Sequence, residues 1–240
     1  MRALVTGANG LIGGNLVREL LAHGVAVRGL VRATSDTIAL DGLEVELCRA
    51  DVATDPDALC AAASGCELIF HTAMHFSYET RRHADLEAAA SRGTENLLRA
   101  AHAAKVARVI VTSSSVVFGH SATQEVLDEQ APLAMQGENA YVHAKLRQHR
   151  LALAFGAALG LDVIAVCPTV SVGPYGTALG PSNGHIIAYL ADPFRLSYPG
   201  GCNIVATADV AAGHWLAAQH GTPGSAYILG SENLTWAEFH

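Results

Sequence analysis

The chain has 240 residues, 50% of them hydrophobic and 15% charged, so most of it must be buried and a sizeable α/β core is within reach. A formal net charge of −7 excludes a binder of the nucleic-acid phosphate backbone, and an odd count of five cysteines without C-x-x-C spacing excludes a disulfide framework in favour of reduced thiols. Nothing reads as a signal peptide or a membrane span, since the most apolar stretch, residues 151–172, contains Asp162 and Pro168; a cytoplasmic chain with neither nucleic-acid nor membrane partner is expected.

In chain order, Arg2–Thr6 reads as a short buried strand, Thr6–Gly13 as a glycine-rich turn, and an amphipathic helix follows with Leu11, Ile12, Leu16, Val17, Leu20 and Leu21 on one face. Strand, glycine turn and helix N-terminus together make a pyrophosphate cradle. Gly7 allows the tight turn, Gly10 admits the phosphates to the backbone, and Gly13 lets helix and strand pack closely. Unpaired N–H groups and the positive helix end then face the anion, so Gly7, Asn9, Gly10, Leu11, Ile12 and Gly13 are expected to line the cofactor.

Gly24 ends that helix, and residues 25–32 form a second strand. An acidic residue at its end would bind the adenosine ribose hydroxyls, whereas Arg32, followed by Thr34 and Ser35, suits the 2′-phosphate of NADP; NAD remains the alternative. A third strand over residues 43–48 runs out at Ala50-Asp51-Val52. Asp51 can accept from the adenine amino group or serve as a turn residue, and the chemistry does not choose between them. Asp55-Pro56-Asp57 caps a short helix to Ala63, and Glu67–His71 is the fourth strand.

Small residues follow at Thr72 and Ala73, where a backbone would face the cofactor. His71 and His75 leave a strand and need not share a face; with twelve histidines scattered and no H-E-x-x-H, no metal site is expected. His75, Phe76 and Tyr78 are candidates for the substrate pocket, as is the Gly/Pro/Ser-rich stretch 175–201 beginning at Tyr175. Long helices span residues 85–104 and 139–159, with strands at 106–112 and 162–170. Strands alternating with helices give an α/β fold with a parallel, doubly wound sheet, whose ligands bind beyond the strands' carboxyl ends.

Tyr141 and Lys145 begin the second long helix four residues apart, hence on one face about a turn apart. A free phenol titrates near about 10, and a neighbouring ammonium favours the phenolate, as a tyrosine acid/base requires. Ser114, at the end of the fifth strand, can hydrogen-bond the substrate oxygen as charge develops there; Ser115 is the other candidate.

Thr6-Gly-x-x-Gly-x-x-Gly13, Asp51-Val52, His71-x-Ala73, Thr112-Ser-Ser114, Tyr141-x-x-x-Lys145 and Pro168 with Gly173-Pro174 resemble the extended short-chain dehydrogenase/reductase family, in particular its dihydroflavonol-reductase-like and hopanoid-associated epimerase-like branch. The resemblance covers essentially the whole chain. It implies a Rossmann fold, a bound NAD(P) touching Val52, Ala73, Tyr141, Lys145 and Pro168, and Ser114, Tyr141 and Lys145 as the catalytic group. Phe118-Gly119, matched to the family's aromatic-Gly pair, favours Ser114 over Ser115. Family dimers pair two long helices, here the two named above, so a homodimer through them is an expectation. The chain departs from the family at Ala90, Ala144 and His149, where Asn, Ser and Glu are frequent, and it stops at His240 just as Thr235–Phe239 begins a helix. Residues 1–172 are therefore expected to form the dinucleotide-binding unit, and 173–240 a small, partial substrate region interleaved with the last strands and helices.

Three functions fit: an NADP-preferring oxidoreductase of carbonyl and alcohol substrates, a nucleotide-sugar epimerase or dehydratase with retained NAD, and a non-catalytic dinucleotide sensor.

Overall fold

Strands that are apolar at every position must be covered on both faces. In the computed structural model, which describes residues 1–74, 83–123, 125–134 and 139–240, β1 (Arg2–Thr6) turns Ala3 and Val5 to one face and Leu4 to the other, all fully buried. The same alternation puts Phe70 and Ile69 of β4 (Leu68–His71) on opposite faces, and likewise Ile110 and Val109 of β5 (Arg108–Thr112). With β2 (Ala26–Val31), β3 (Val45–Arg49) and β6 (Val163–Pro168), these strands pair in parallel in the order β3-β2-β1-β4-β5-β6.

Leu16, Val17 and Leu20 of α1 (Leu11–Ala22) cover one face together with Ala211, Ala217 and Ala218 of α6 (Thr207–His220). Each of the three large α1 side chains contributes about 1.5–3 kcal/mol through its burial. The other face is covered by α2 (Pro56–Ala63), α3 (His83–Ala103) and α4 (Ala140–Ala158), through Leu59, Leu97, Leu98, Ala101 and Ala152. The expected Rossmann-type doubly wound sheet is thus the observed one, and the apolar faces of both long helices are at least partly used on their own sheet. β1 lies between β2 and β4, so the chain reverses its direction of travel across the sheet there and a crevice opens beyond their carboxyl ends.

The strand expected over residues 162–170 is two strands. Pro168 supplies no N–H to a ladder, β6 ends on it, and β7 (Val170–Val172) joins a second sheet of order β10-β8-β7 with β8 (Gly201–Ala206) and β10 (Glu232–Thr235). A seventh strand of the main sheet, β9 (Ala226–Leu229), runs parallel to β6 with Ala165 opposite Ala226. The last third of the chain therefore supplies an edge strand and a covering helix to the first two thirds. It also carries α5 (Pro181–Ala191) and the short α7 (Trp236–Phe239).

One local expectation changes. Asp55 stands at the N-cap position of α2 without capping it: its carboxylate accepts instead from the Asp51 N–H at 2.8 Å.

Candidate active site

At the end of β1 the chain turns through Gly7, whose φ of +68° lies in the region that glycine tolerates and side chains resist. Its N–H reaches the Leu30 carbonyl at 2.8 Å, and the Gly10 N–H closes the turn onto the Gly7 carbonyl at 2.9 Å. A Cβ on Gly13 would stand 2.1 Å from that same carbonyl oxygen. Gly13 is therefore required by the turn's own backbone rather than by helix–strand packing. Gly10 is the N-cap of α1 and has no side chain to cap it, so the first-turn N–H groups at Leu11, Ile12 and Gly13 lack helical acceptors at the positive end of the dipole. Such a cradle fits a diphosphate. The Asn9 amide braces it from outside, donating to the Asp36 carbonyl at 3.0 Å and facing the Thr177 hydroxyl at 3.4 Å.

The turn opens into a cleft of about 590 Å³. Gly7, Asn9, Gly10 and Leu11 line one end; Arg32, Asp51 and Val52 line a second; Ala73 and Met74 line the side nearer α4. Asp51 serves the turn while lining the cleft: its Oδ1 accepts the Ala53 N–H at 2.8 Å. The Asn96 side chain of α3 holds the same loop by donating to the Val52 and Ala53 carbonyls at 3.1 and 3.2 Å. Arg49 binds the loop after β2, its Nη1 donating to the Ala33 carbonyl at 2.8 Å and the Arg32 carbonyl at 3.3 Å. Arg92 also lines the cleft, on α3. Nothing in the sequence marked it, because only the packing of α3 beside the residue 51–53 loop brings it there.

Met74 and Ala90, on the cleft wall, pack against Ala140 and Ala144 of α4, whose intervening and following residues are Tyr141 and Lys145. The Asn139 side chain caps α4 by accepting the Tyr141 N–H at 2.9 Å, which fixes the start of the helix and with it the half-buried tyrosine. Lys145 is buried, and its Nζ donates to the Thr112 carbonyl at 2.8 Å and to Gln148 Oε1 at 3.1 Å. Burial without a carboxylate partner pushes its pKa down to about 7.

Ser114 leads a 3₁₀ turn, Ser115–Phe118, and its hydroxyl oxygen takes the Val116 N–H at 3.5 Å, an acceptor role that leaves the hydroxyl proton for another partner. Its neighbour Ser113 points the other way, to His149 Nδ1 at 2.9 Å. Ser115 lies in the 3₁₀ turn itself, half-buried.

Ile12, Gly13, Ser114, Tyr141, Lys145 and Pro168 do not line the described cleft; Pro168 ends β6 opposite Leu229. Tyr175 lies on the glycine-turn side, its ring against the Arg18 guanidinium at 3.7 Å. His75, Phe76 and Tyr78 lie outside the described residues. Among the described residues no group of three or more His, Cys, Asp or Glu side chains could hold a metal ion, and no helix is long and apolar enough to cross a membrane.

A glycine turn with first-turn helix N–H groups at the reversal point of a doubly wound sheet is an anion cradle of the kind that takes a dinucleotide. The chain belongs to the NAD-dependent epimerase/dehydratase family, whose profile matches residues 3–230. It is 35% identical over 237 residues to a Synechocystis sp. protein named for dihydroflavonol 4-reductase, covering 96% of this chain and 68% of that one. It is 36% identical over 228 residues to cinnamoyl-CoA reductase 1 of Oryza sativa subsp. japonica, covering 88% and 66%. Among solved structures, dTDP-glucose 4,6-dehydratase DesIV from Streptomyces venezuelae, with NAD and TYD bound, superposes with a TM-score of 0.84 at 25% identity, over 100% of this chain and 79% of that one. The chain spans about two thirds of the length of the reductases it matches.

Proposed function

We propose that the chain is an NADP-preferring oxidoreductase that reduces a small-molecule ketone or aldehyde to an alcohol, or runs the reverse. The observation that carries this reading is the Tyr141–Lys145 pair, set one turn apart at the capped start of α4, with the lysine amine tied to the Thr112 carbonyl two residues before Ser114. The reductase names of relatives at 35% and 36% identity support the reaction class.

The first-turn N–H groups of α1 hold the diphosphate, and Arg32 and Arg92 put positive charge on the cleft wall where a 2′-phosphate would be met. The nicotinamide, when bound, supplies or accepts the hydride. Tyr141 gives its phenolic proton to the substrate oxygen during reduction and takes it back during oxidation. Lys145 favours the phenolate when it carries its proton and offers N–H groups to the ribose; Ser114 donates to the oxygen on which charge develops.

A second reading, a nucleotide-sugar epimerase or dehydratase with retained NAD, is favoured by the likeness to DesIV, and it predicts NAD that copurifies and turnover without added cofactor. Tyr141→Phe should bind NADPH normally yet lose at least about 100-fold in turnover over a carbonyl panel. Arg32→Ala should weaken NADPH and leave NADH nearly unchanged. Equal loss for both nucleotides refutes the 2′-phosphate assignment; wild-type chain with no turnover on any carbonyl and no retained NAD refutes the enzymatic reading in favour of a dinucleotide sensor.

A further inference from the structure

From Lys145 runs a file of buried polar side chains drawn from four elements. Thr6 ends β1, His71 ends β4, Thr94 is on α3, and Gln148 and Lys145 are on α4; each is almost entirely shielded from solvent. Their contacts are Lys145 Nζ to Gln148 Oε1 at 3.1 Å, Gln148 Nε2 to Thr94 Oγ1 at 3.1 Å, Thr94 Oγ1 to His71 Nε2 at 3.3 Å, and His71 Nδ1 to Thr6 Oγ1 at 2.8 Å.

We infer that Gln148 is a positioning residue for the Lys145 amine, the first link of a one-way hydrogen-bond chain that passes through Thr94 and His71 to Thr6 at the root of the glycine turn.

The direction starts from the charged form of Lys145, an ammonium that donates and does not accept. Gln148 must turn its carbonyl to Lys145, so its NH₂ faces Thr94. The Thr94 oxygen accepts that proton and gives its own to His71 Nε2. His71 then carries its hydrogen on Nδ1 and donates it to Thr6 Oγ1, which also accepts the Ala73 N–H at 3.2 Å. In the opposite tautomer His71 Nε2–H would donate to Thr94 Oγ1 and the Thr6 hydroxyl to Nδ1, and the Thr94 hydroxyl proton would lose its His71 acceptor.

In this direction His71 is the Nδ1–H tautomer, and Gln148 takes one of the three proton directions of the Lys145 ammonium. The Thr112 carbonyl removes a second, at 2.8 Å. One position on the nitrogen remains for whatever enters the site. The titratable groups that face Lys145 across the surrounding elements are His71 from β4, Cys167 from β6, and His149 from its own helix, with Tyr141 one turn before it. Burial holds the first three uncharged at neutral pH: His71 is lowered to about 3, His149 to about 4, and Cys167 is raised to about 12. The amine is therefore oriented by neutral dipoles and by no buried anion among these groups.

This inference takes from the functional reading only the importance of Lys145, and its test uses no substrate. Lys105 and Lys145 are the chain's only lysines, so labelling lysine with ¹³Cε and ¹⁵Nζ gives one signal from an exposed amine and one from a buried amine. In the unmodified protein, ¹⁵N spectra should show His71 protonated at Nδ1 and bare at Nε2 at neutral pH. In Gln148→Glu the Lys145 midpoint should rise by about 1–3 pH units, with Lys105 unmoved, because a carboxylate replaces the amide oxygen at the amine. Thr94→Val, nearly isosteric, should change the His71 Nε2 shift and the Lys145 midpoint, while Thr94→Ser restores both. His71 found as the Nε2–H tautomer overturns the chain without any variant. A Lys145 midpoint unmoved in folded Gln148→Glu overturns the positioning role. If both signatures appear while no carbonyl is turned over, the chain stands and the oxidoreductase reading fails.

Discussion

Three imidazoles, those of His71, His149 and His214, are buried among polar partners that suit the neutral ring. His214 makes the case clearest. Its Nδ1–H donates to the Val210 carbonyl at 2.7 Å and its Nε2 accepts from the Thr112 hydroxyl at 2.8 Å, so a second proton would meet a donor already in place. Burial is the first cause in each case, lowering His71 to about 3 and His149 and His214 to about 4, against 6.5 for a free ring. The folded values lie below the unfolded ones, so from about 6.5 downward the unfolded chain binds protons that the folded chain refuses. The stability these rings permit is whole above that pH and is lost as pH falls toward the folded values. At about pH 5 each ring costs about 2 kcal/mol, and the three together about 6 kcal/mol, against a total of about 5–15 kcal/mol for an ordinary domain. Lys145 acts in a separate window: between about 7 and 10.5 the unfolded chain holds a proton that the buried amine has released, so stability climbs with pH there and is insensitive below it. Urea unfolding followed by tryptophan fluorescence from about pH 5 to about pH 9 should trace both limbs. A change under about 1 kcal/mol between pH 7 and pH 5 would refute the assignment of neutral buried rings.

Three further substitutions follow, two against loops that line the cleft and one away from it. Gly13→Ala drives a methyl into the Gly7 carbonyl at 2.1 Å, so the turn must shift, and NADPH binding read by fluorescence should weaken by at least about 10-fold. In Gly184→Ala the nearest atom is a Leu179 side-chain carbon at 3.8 Å, so this helical glycine should leave binding unchanged and gain about 0.5–1 kcal/mol of stability. Asn96→Ala removes the donor shared by the Val52 and Ala53 carbonyls; a loss of about 1–2 kcal/mol in unfolding free energy is expected, with dinucleotide affinity falling as the loop loosens.

What the sequence displayed and what it hid divide along range of interaction. β1, β4, β5 and β6 are legible because a sheet covered on both faces needs apolar runs, and Leu4 or Ile69 satisfies that requirement whatever lies next to it. The glycine turn is legible for the same local reason: Gly7 needs its positive φ within its own four residues. Tyr141 and Lys145 share a face by helical spacing alone. By contrast, β9 pairs with β6 across some sixty residues, and nothing in Ala226–Leu229 distinguishes a sheet edge from the small second sheet. Asp55 leaves the cap of α2 to accept the Asp51 N–H, while Asp51 accepts the Ala53 N–H, a choice that only the folded loop decides. Thr94 and Gln148 stand 54 positions apart, and each is unremarkable in its own helix until α3 and α4 pack side by side.

That packing bears on why an amide occupies position 148. Buried polar files cost desolvation free energy, and apolar side chains of equal volume would often give a more stable core. A carboxylate at Gln148 would answer the Lys145 charge better than an amide does, and for that reason it would hold the amine protonated at every ordinary pH. It would also present acceptors alone, so the link to the Thr94 oxygen would break unless the hydroxyl reversed and gave up His71. The amide supplies one acceptor and one donor at opposite ends, which orients Lys145 and continues the file to the glycine turn with no buried negative charge. The amine then stays near its midpoint around neutrality.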